Sequence, residues 1–405
     1  MTGHARAPRA PLPVPELTPP RRTAVGPRPV ARPGAFRRLA LAITALPLAA
    51  GGIATLSIAG ARSHHPPPSL SPAAMARTDA RAFLQRYVRP DGRVVRTDQG
   101  GDTVSEGQAY ALLLAVATGD RHRFAPVWQW DQSHLQLPDG LFAYRWQDGA
   151  VVSSEPATDA DLLTAWALLL AGEQFGSQTD RAAGLRVAAA VLTDETATVA
   201  GRLELVAGPW ARGAPAVVNP SYLATGAMQW LATATGDHRW SALAADSQLL
   251  LAQLGAGQPP SLPPDWLQLP DAGLPLPSAT PGGGQPPTYG LDAQRTLVWE
   301  MTGCNVGEAA TAARDWPILE RAASEGGRIS YTTTGKATST YVNPLGWVAA
   351  AAAAQAAGRP AAAASLLDRA DAQQRRHPTY YGGAWVALGR VLLDTPWLPA
   401  CGSGG

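Results

Sequence analysis

From Pro72 to about Asp394 one helical pattern follows another, and this recurrence constrains the fold more than any other feature of the chain. Apolar residues recur at three- and four-residue spacing, short glycine-containing turns separate the stretches, and no strong alternating run competes for a strand. Helices are predicted to begin near Pro72, Ser105, Arg121, Thr158, Thr179, Asn219, Asp237, Asp292, Val306, Asn343, Arg359 and Tyr380. A weak internal echo supports pairing. Ala117-Thr118-Gly119-Asp120 and Ala234-Thr235-Gly236-Asp237 each join two helices, and Ala357-Gly358-Arg359 stands at a similar junction. The pattern predicts an all-α domain of repeated helix pairs. The Pro/Gly-rich stretch from Gln258 to Pro287 reads as a surface loop, of a length that in a compact domain more often accompanies a binding cleft.

Residues 1–38 are dominated by Pro and Arg and carry too few apolar residues to pack, so disorder is expected there. The stretch from Leu39 to Ala61 has no charge, is long enough to cross a bilayer, and follows directly on Arg37 and Arg38. It reads as a transmembrane signal-anchor or a cleaved signal peptide, with the long preceding segment favouring the anchor. The arginines between Arg21 and Arg38 place the N-terminus in the cytoplasm and the following domain outside it, held at the cell membrane or, after cleavage, secreted. Residues 62–71 form a Pro-rich linker, 72–397 the helical domain and 398–405 a flexible tail. Cys304 and Cys401 are the only cysteines; an oxidising compartment would allow them to pair, but nothing in the spacing demands it. A net charge of +2 without a basic patch interleaved with aromatics argues against nucleic-acid binding. His122, His134, His238 and His377 lack metal-ligand spacing, and no Gly-x-Ser-x-Gly or phosphate loop occurs, so neither metal nor cofactor is expected.

Two motifs set carboxylates at helix starts. In Ser105-Glu106-Gly107-Gln108, Ser105 fits an N-cap and Gln108 its reciprocal partner, which places Glu106 first in the helix. In Ala157-Thr158-Asp159-Ala160-Asp161, Thr158 is the expected N-cap, Asp161 its partner and Asp159 the first helical residue. Capping alone accounts for an acid at either place, because the helix dipole favours it. Paired carboxylates are also what hydrolysis of a glycosidic bond requires.

These words, in this order and at this separation, resemble glycoside hydrolase family 8, bacterial endoglucanases that include cellulases attached to cellulose-synthesis systems. The likeness continues through Asn219-Pro220-Ser221-Tyr222, Pro264-Asp265-Trp266 and Leu291-Asp292-Ala293-Gln294-Arg295 to Tyr380-Tyr381, covering about residues 72 to 395. It implies that the helix pairs close into an (α/α)6 barrel of about six hairpins and that residues 72–397 form an inverting endo-β-1,4-glucanase. It further implies that Glu106 is the proton donor, that Asp292 is the general base and that Arg295 orients the base. Asp159 would hold the sugar at the cleavage point in a distorted shape and keep Glu106 protonated. The family has Tyr immediately before the base, where this chain has Leu291; Tyr289 either reaches the same place or that hydrogen bond is missing.

Aromatic usage is skewed toward rings with a polar handle, 13 Trp and 9 Tyr against 5 Phe, and such faces stack on sugars in open grooves. Trp299, Trp347 and Trp385 lie inside apolar runs and are assigned to packing. Tyr144 and Trp146 stand where the family carries aromatic residues at sugar subsites; Trp210, Tyr222 and Tyr289 are further substrate-binding candidates. The same family contains chitosanases, xylanases and mixed-linkage glucanases. Placement of the base after the Pro-rich loop resembles the cellulase and chitosanase arrangement, and the lack of a surplus acidic cluster favours β-1,4-glucan. The resemblance leaves open association with a polysaccharide synthase system. A non-catalytic glycan-binding component of an export system is the reading from a different class; retention of all three carboxylates with Arg295 argues against it.

Overall fold

The structure, a computed structural model, describes residues 70–257 and 260–400. The apolar stretch 39–61, the tail 1–38, nearly all of the linker and Cys401 lie outside these residues. Among the described residues no helix is long and apolar enough to cross a membrane.

Among the described residues, twelve α-helices alternate along the chain between largely buried and amphipathic. The amphipathic set is α1 (Pro72–Tyr87), α3 (Arg121–His134), α5 (Gln178–Asp194), α7 (Arg239–Leu254), α9 (Val306–Ser324) and α11 (Pro360–Arg376). The buried set is α2 (Ser105–Ala117), α4 (Thr158–Gln174), α6 (Thr225–Thr235), α8 (Leu291–Met301), α10 (Leu345–Ala356) and α12 (Tyr380–Asp394). Each buried helix touches the next, from α2 through α4, α6, α8, α10 and α12 and back to α2. Such an inner ring, wrapped by the amphipathic helices, is the arrangement of an (α/α)6 barrel. A helix apolar on nearly every side has no stable place except inside a core, which marks α2, α4 and α10 as ring members; α8 also carries the buried Arg295 and Glu300, so composition alone does not mark it. The predicted helix starts agree with these bounds to within a few residues, except that Asn219-Pro220 opens a short 3₁₀ turn, Pro220–Tyr222, ahead of α6.

Alanine dominates where walls must approach closely. Ala349 to Ala354 are all fully buried, in a helix, α10, packed among α8, α9, α11 and α12. Trp385 is fully buried against the rings of Tyr110 and Trp299, edge-on to both. Truncating such a side chain to alanine costs about 3–5 kcal/mol. Trp347 packs beside Gly327 and donates its indole N–H to the Ala323 carbonyl at 3.3 Å, so the three tryptophans assigned to packing are found there. The Thr-Gly-Asp junctions also behave as expected: Gly119 and Gly236 have φ of 70° and 72°, a left-handed turn that glycine adopts without steric cost.

The all-α reading omits a minor component, present among the described residues. Ten short strands form four small antiparallel sheets in the connections: β1 (Thr103–Val104), β2 (Arg145–Gln147) and β3 (Ala150–Ser153); β4 (Thr196–Val199) and β5 (Arg202–Leu205); β6 (Ala216–Val218), β7 (Trp266–Leu269) and β8 (Leu276–Ser278); β9 (Thr288–Tyr289) and β10 (Tyr331–Thr332). At two to four residues each, they are too short for alternation to register. The stretch read as a surface loop, 258–287, contains β7 and β8 and pairs with β6, so it is part of the fold. Strands β1, β3 and β9 lead closely into α2, α4 and α8, and thereby aim the three helix starts that carry the acids.

Candidate active site

Glu106, Asp159 and Asp292 each occupy the second position of an inner helix, and one buried side chain gathers them. The Arg295 guanidinium lies 3.3 Å from a Glu106 oxygen, 2.8 Å from Asp159 and 3.2 Å from Asp292. Arg295 is 3% exposed, whereas the carboxylates open progressively toward solvent, from 5% for Asp159 through 18% for Glu106 to 37% for Asp292. Each acid has a further constraint. Tyr110, one turn along α2, donates its hydroxyl to Glu106 at 2.5 Å and accepts from Arg295 at 3.0 Å. Asn219 donates its side-chain amide to Asp292 at 3.1 Å. Ser221 accepts from Arg295 at 2.6 Å and donates to Asn219 at 2.6 Å, which locks the turn to the arginine.

The expected capping boxes are absent, for a tertiary reason. Helix α2 begins one residue earlier than expected, with Val104 as its N-cap, and the Gln108 side chain accepts from Val94 N at 2.6 Å instead of turning back to Ser105. Ala157 is the N-cap of α4; Thr158 donates its hydroxyl to Val206 O at 2.7 Å, and Asp161 accepts from Phe142 N at 2.8 Å. These buried side chains bind neighbouring loops, and the two acids are consequently the second helical residues, not the first. Gly107 has no room for a side chain, since a Cβ there would lie 2.3 Å from the Tyr380 hydroxyl.

Burial pushes the Asp159 carboxyl up to about 7, with Glu106 adding to the rise and Arg295 opposing it. Burial likewise raises Tyr144, to about 12, next to the Glu106 charge, and holds Tyr110, Tyr222 and Tyr381 well above the usual phenol range. These phenols are neutral donors at any working pH.

The aromatic candidates separate into two groups. Tyr144 and Tyr222 lie at the site: both hydroxyls feel Glu106, Asp159 and Asp292, and the Arg295 guanidinium is 5.4 Å from the Tyr222 ring centroid. Trp210 is 43% exposed, and its indole N–H donates to the carbonyl of Pro156, just ahead of the Asp159 helix. Trp146 is held elsewhere, against Trp130 and His134 and under the Arg93 guanidinium 4.1 Å away, because a bulge between Arg145 and Trp146 shifts the register of the strand. Tyr289 is also misplaced as a site residue. Its pairing with Tyr331 in β9–β10 buries it, and its hydroxyl faces Asp315 and Glu300. Leu291 brings no hydroxyl in its stead. Tyr110, Asn219, Ser221 and Tyr381 were not foreseen as site residues. Tyr110 was legible, because four residues along a helix is one turn; Tyr381 sits at the second position of α12, the place the acids occupy in their helices.

Comparison with known proteins accords with this geometry. Residues 69–358 match the model of glycosyl hydrolases family 8, and the chain belongs to that family. An endoglucanase of Cellulomonas uda is 36% identical over 232 residues, 56% of this chain and 63% of the relative, so the chain spans less than two thirds of that protein's length. A probable endoglucanase of Novacetimonas hansenii is 34% identical over 265 residues, 62% of this chain and 72% of the relative. Among solved structures, an endo-β-1,4-glucanase of Acetobacter xylinum superposes with a TM-score of 0.66 at 27% identity, covering 80% of this chain and 98% of that one. Among the described residues no group of acids, histidines and cysteines is arranged to hold a metal ion.

Proposed function

We propose that this chain is an inverting endo-β-1,4-glucanase, in which Glu106 protonates the glycosidic oxygen, Asp292 activates water on the opposite face of the sugar and Asp159 orients the sugar between them. The observation that carries this reading is that three carboxylates stand in the first turns of three inner helices and are gathered there by one guanidinium. The partly solvated acid, Asp292, is the one suited to receive a water, and Asn219 with Arg295 fixes both of its oxygens. Glu106 is partly shielded, and the Tyr110 hydroxyl fixes the orientation of its carboxyl, which delivery of a proton to a fixed leaving oxygen requires. Asp159 is the most buried of the three. Tyr144, Tyr222 and the exposed ring of Trp210 supply faces for the sugars. The endoglucanase names of the relatives support β-1,4-glucan as the substrate class.

The decisive measurement is the anomeric form of fresh product. Inversion releases the α-anomer first from a β-1,4-glucan, which proton NMR resolves before mutarotation. A β-anomer appearing first would end the assignment of Asp292 as base. Reducing sugar released from chitosan or xylan, and none from carboxymethylcellulose, would move the substrate class within the family.

We further propose that residues 39–61 anchor the protein in the cell membrane with the helical domain outside the cytoplasm. A soluble form beginning near residue 62 would replace the anchor with a signal peptide.

A further inference from the structure

The N-cap of helix α8 is Gly290, a residue with no side chain to cap it, yet the chain supplies a cap from 25 positions upstream. One oxygen of Asp265 accepts from the backbone N–H groups of Gly290, at 3.0 Å, and Ala293, at 2.9 Å; the other accepts the Thr288 hydroxyl at 2.7 Å. The Asp265 backbone N–H donates to the Thr288 carbonyl at 2.8 Å, so main chain and side chain are both tied to the strand that leads into the helix. Asp265 is 8% exposed and directly precedes β7. Its neighbour Trp266 packs edge-on against Tyr222 at 6.3 Å, on the wall of the site.

The space around this cap is closed. A Cβ on Gly290 would lie 2.4 Å from one Asp265 oxygen and 2.8 Å from the other. Glycine at 290 is therefore a steric requirement of the Asp265 carboxylate. An acid in the first turn ordinarily turns back on the free N–H groups of its own helix. Asp292 does not, since both of its oxygens are committed to Asn219 and Arg295.

We propose that Asp265 is a positioning residue for Asp292: by capping α8 from outside the helix, it frees the Asp292 carboxylate to face the cleft and fixes the turn of helix that also carries Arg295. The proposal rests on the reading of Asp292 as the base. Burial, together with the nearby charge of Asp292, pushes the Asp265 carboxyl up to about 7, which agrees with two acids placed side by side at one helix start. The cap itself needs an acceptor oxygen and no net charge. Asparagine, with its oxygen toward the helix and its amide toward Thr288, meets the same geometry.

The test compares the full chain with Asp265→Ala, Asp265→Asn, Gly290→Ala and Asp292→Asn, with kcat and KM on a soluble cello-oligosaccharide expressed per folded molecule. Asp265→Ala should lower kcat about 10- to 100-fold, the range for losing hydrogen bonds to a charged group, with KM within about 2-fold. Asp265→Asn should restore most of that kcat. Gly290→Ala should lower kcat in the native background, because the new methyl displaces the carboxylate, and should have little further effect once Asp265 is alanine. If Asp265→Ala does not fold, the Gly290→Ala and Asp265→Asn results decide. A kcat for Asp265→Ala within about 2-fold of the parent, an Asn variant as slow as the Ala variant, or a harmless Gly290→Ala would each overturn the proposal. Activity retained by Asp292→Asn would instead overturn the assignment of the base, so the two failures are distinct.

Discussion

Among the described residues two buried arginines each hold three carboxylates, and only one of them stands at the proposed active site. Arg295 gathers Glu106, Asp159 and Asp292; Arg390, also buried, pairs with Asp79 at 3.2 Å, Asp368 at 2.7 Å and Asp394 at 3.2 Å. The inventories are nearly identical, so a cation ringed by acids is no signature of catalysis. Position separates them. The acids of Arg295 sit at the starts of α2, α4 and α8, where the dipole tolerates a free anion, and the strands ahead of these helices direct them to one opening. Asp394 is the last residue of α12, where the dipole disfavours an anion, and Arg390 four residues earlier compensates it while tying α1 and α11 to α12. The hydroxyls of Tyr110 and Ser221 accept from Arg295 and the Asn219 amide donates to Asp292, which refines the first cluster. The first is built to position acids and the second to hold helices together.

The largest test of that contrast is Glu106→Gln, which should remove about 10²–10⁴-fold or more of kcat while leaving binding of cello-oligosaccharides and thermal unfolding close to the parent. Near-normal hydrolysis by this variant would put the Arg295 cluster in the same class as the other. Arg390→Met should do the reverse. Leaving buried acids without their cation costs about 3–5 kcal/mol, read as a lower denaturation midpoint, while kcat per folded molecule stays unchanged.

Both clusters share a pH dependence with a definite sign. Asp79 and Asp159 are raised by burial from 3.8 to about 7, so between those values the native state holds protons that the unfolded chain has released. Stability from these groups is full below pH 3.8 and declines as pH rises toward 7, which a series of thermal melts from pH 4 to 8 should show after allowance for other titrating groups. Asp79→Asn and Asp159→Asn should each flatten that decline, and only the second should impair turnover. The smallest effect belongs to Asp368→Asn. Asp368 is 65% exposed, and its loss should change stability by no more than about 1 kcal/mol; a larger loss would mean that the outer cluster is more tightly coupled than its exposure indicates.

The helices were legible because an amphipathic one leaves a periodic trace in the sequence and a ring helix such as α4 is an apolar run too long for a strand. Closure of the ring was not, since no local pattern records which helix touches which; it came from the resemblance. Glu106, Asp159, Asp292 and Arg295 were found by their motifs and the structure brings them together. The capping boxes were misread because Gln108, Thr158 and Asp161 satisfy the local rule and are used by distant loops instead. Tyr289 misled because sequence proximity to Asp292 says nothing of the strand pairing that turns it inward. Asp265 carried no local signal as a cap, since its partners lie more than twenty residues away.

The ring closes through its last member. Helix α12 packs against α1 and α2, and it brings Tyr381 to the cluster that α2 and α4 begin. During synthesis, therefore, α1 and α2 emerge with their apolar faces bare and wait for some 260 residues of chain, from Ala117 to Tyr380, before their final neighbour exists. Contacts of such sequence separation form late and slowly. Glu106 and Arg295 cannot complete their surroundings until α12 has been made, so the cluster of acids is finished only when the ring closes.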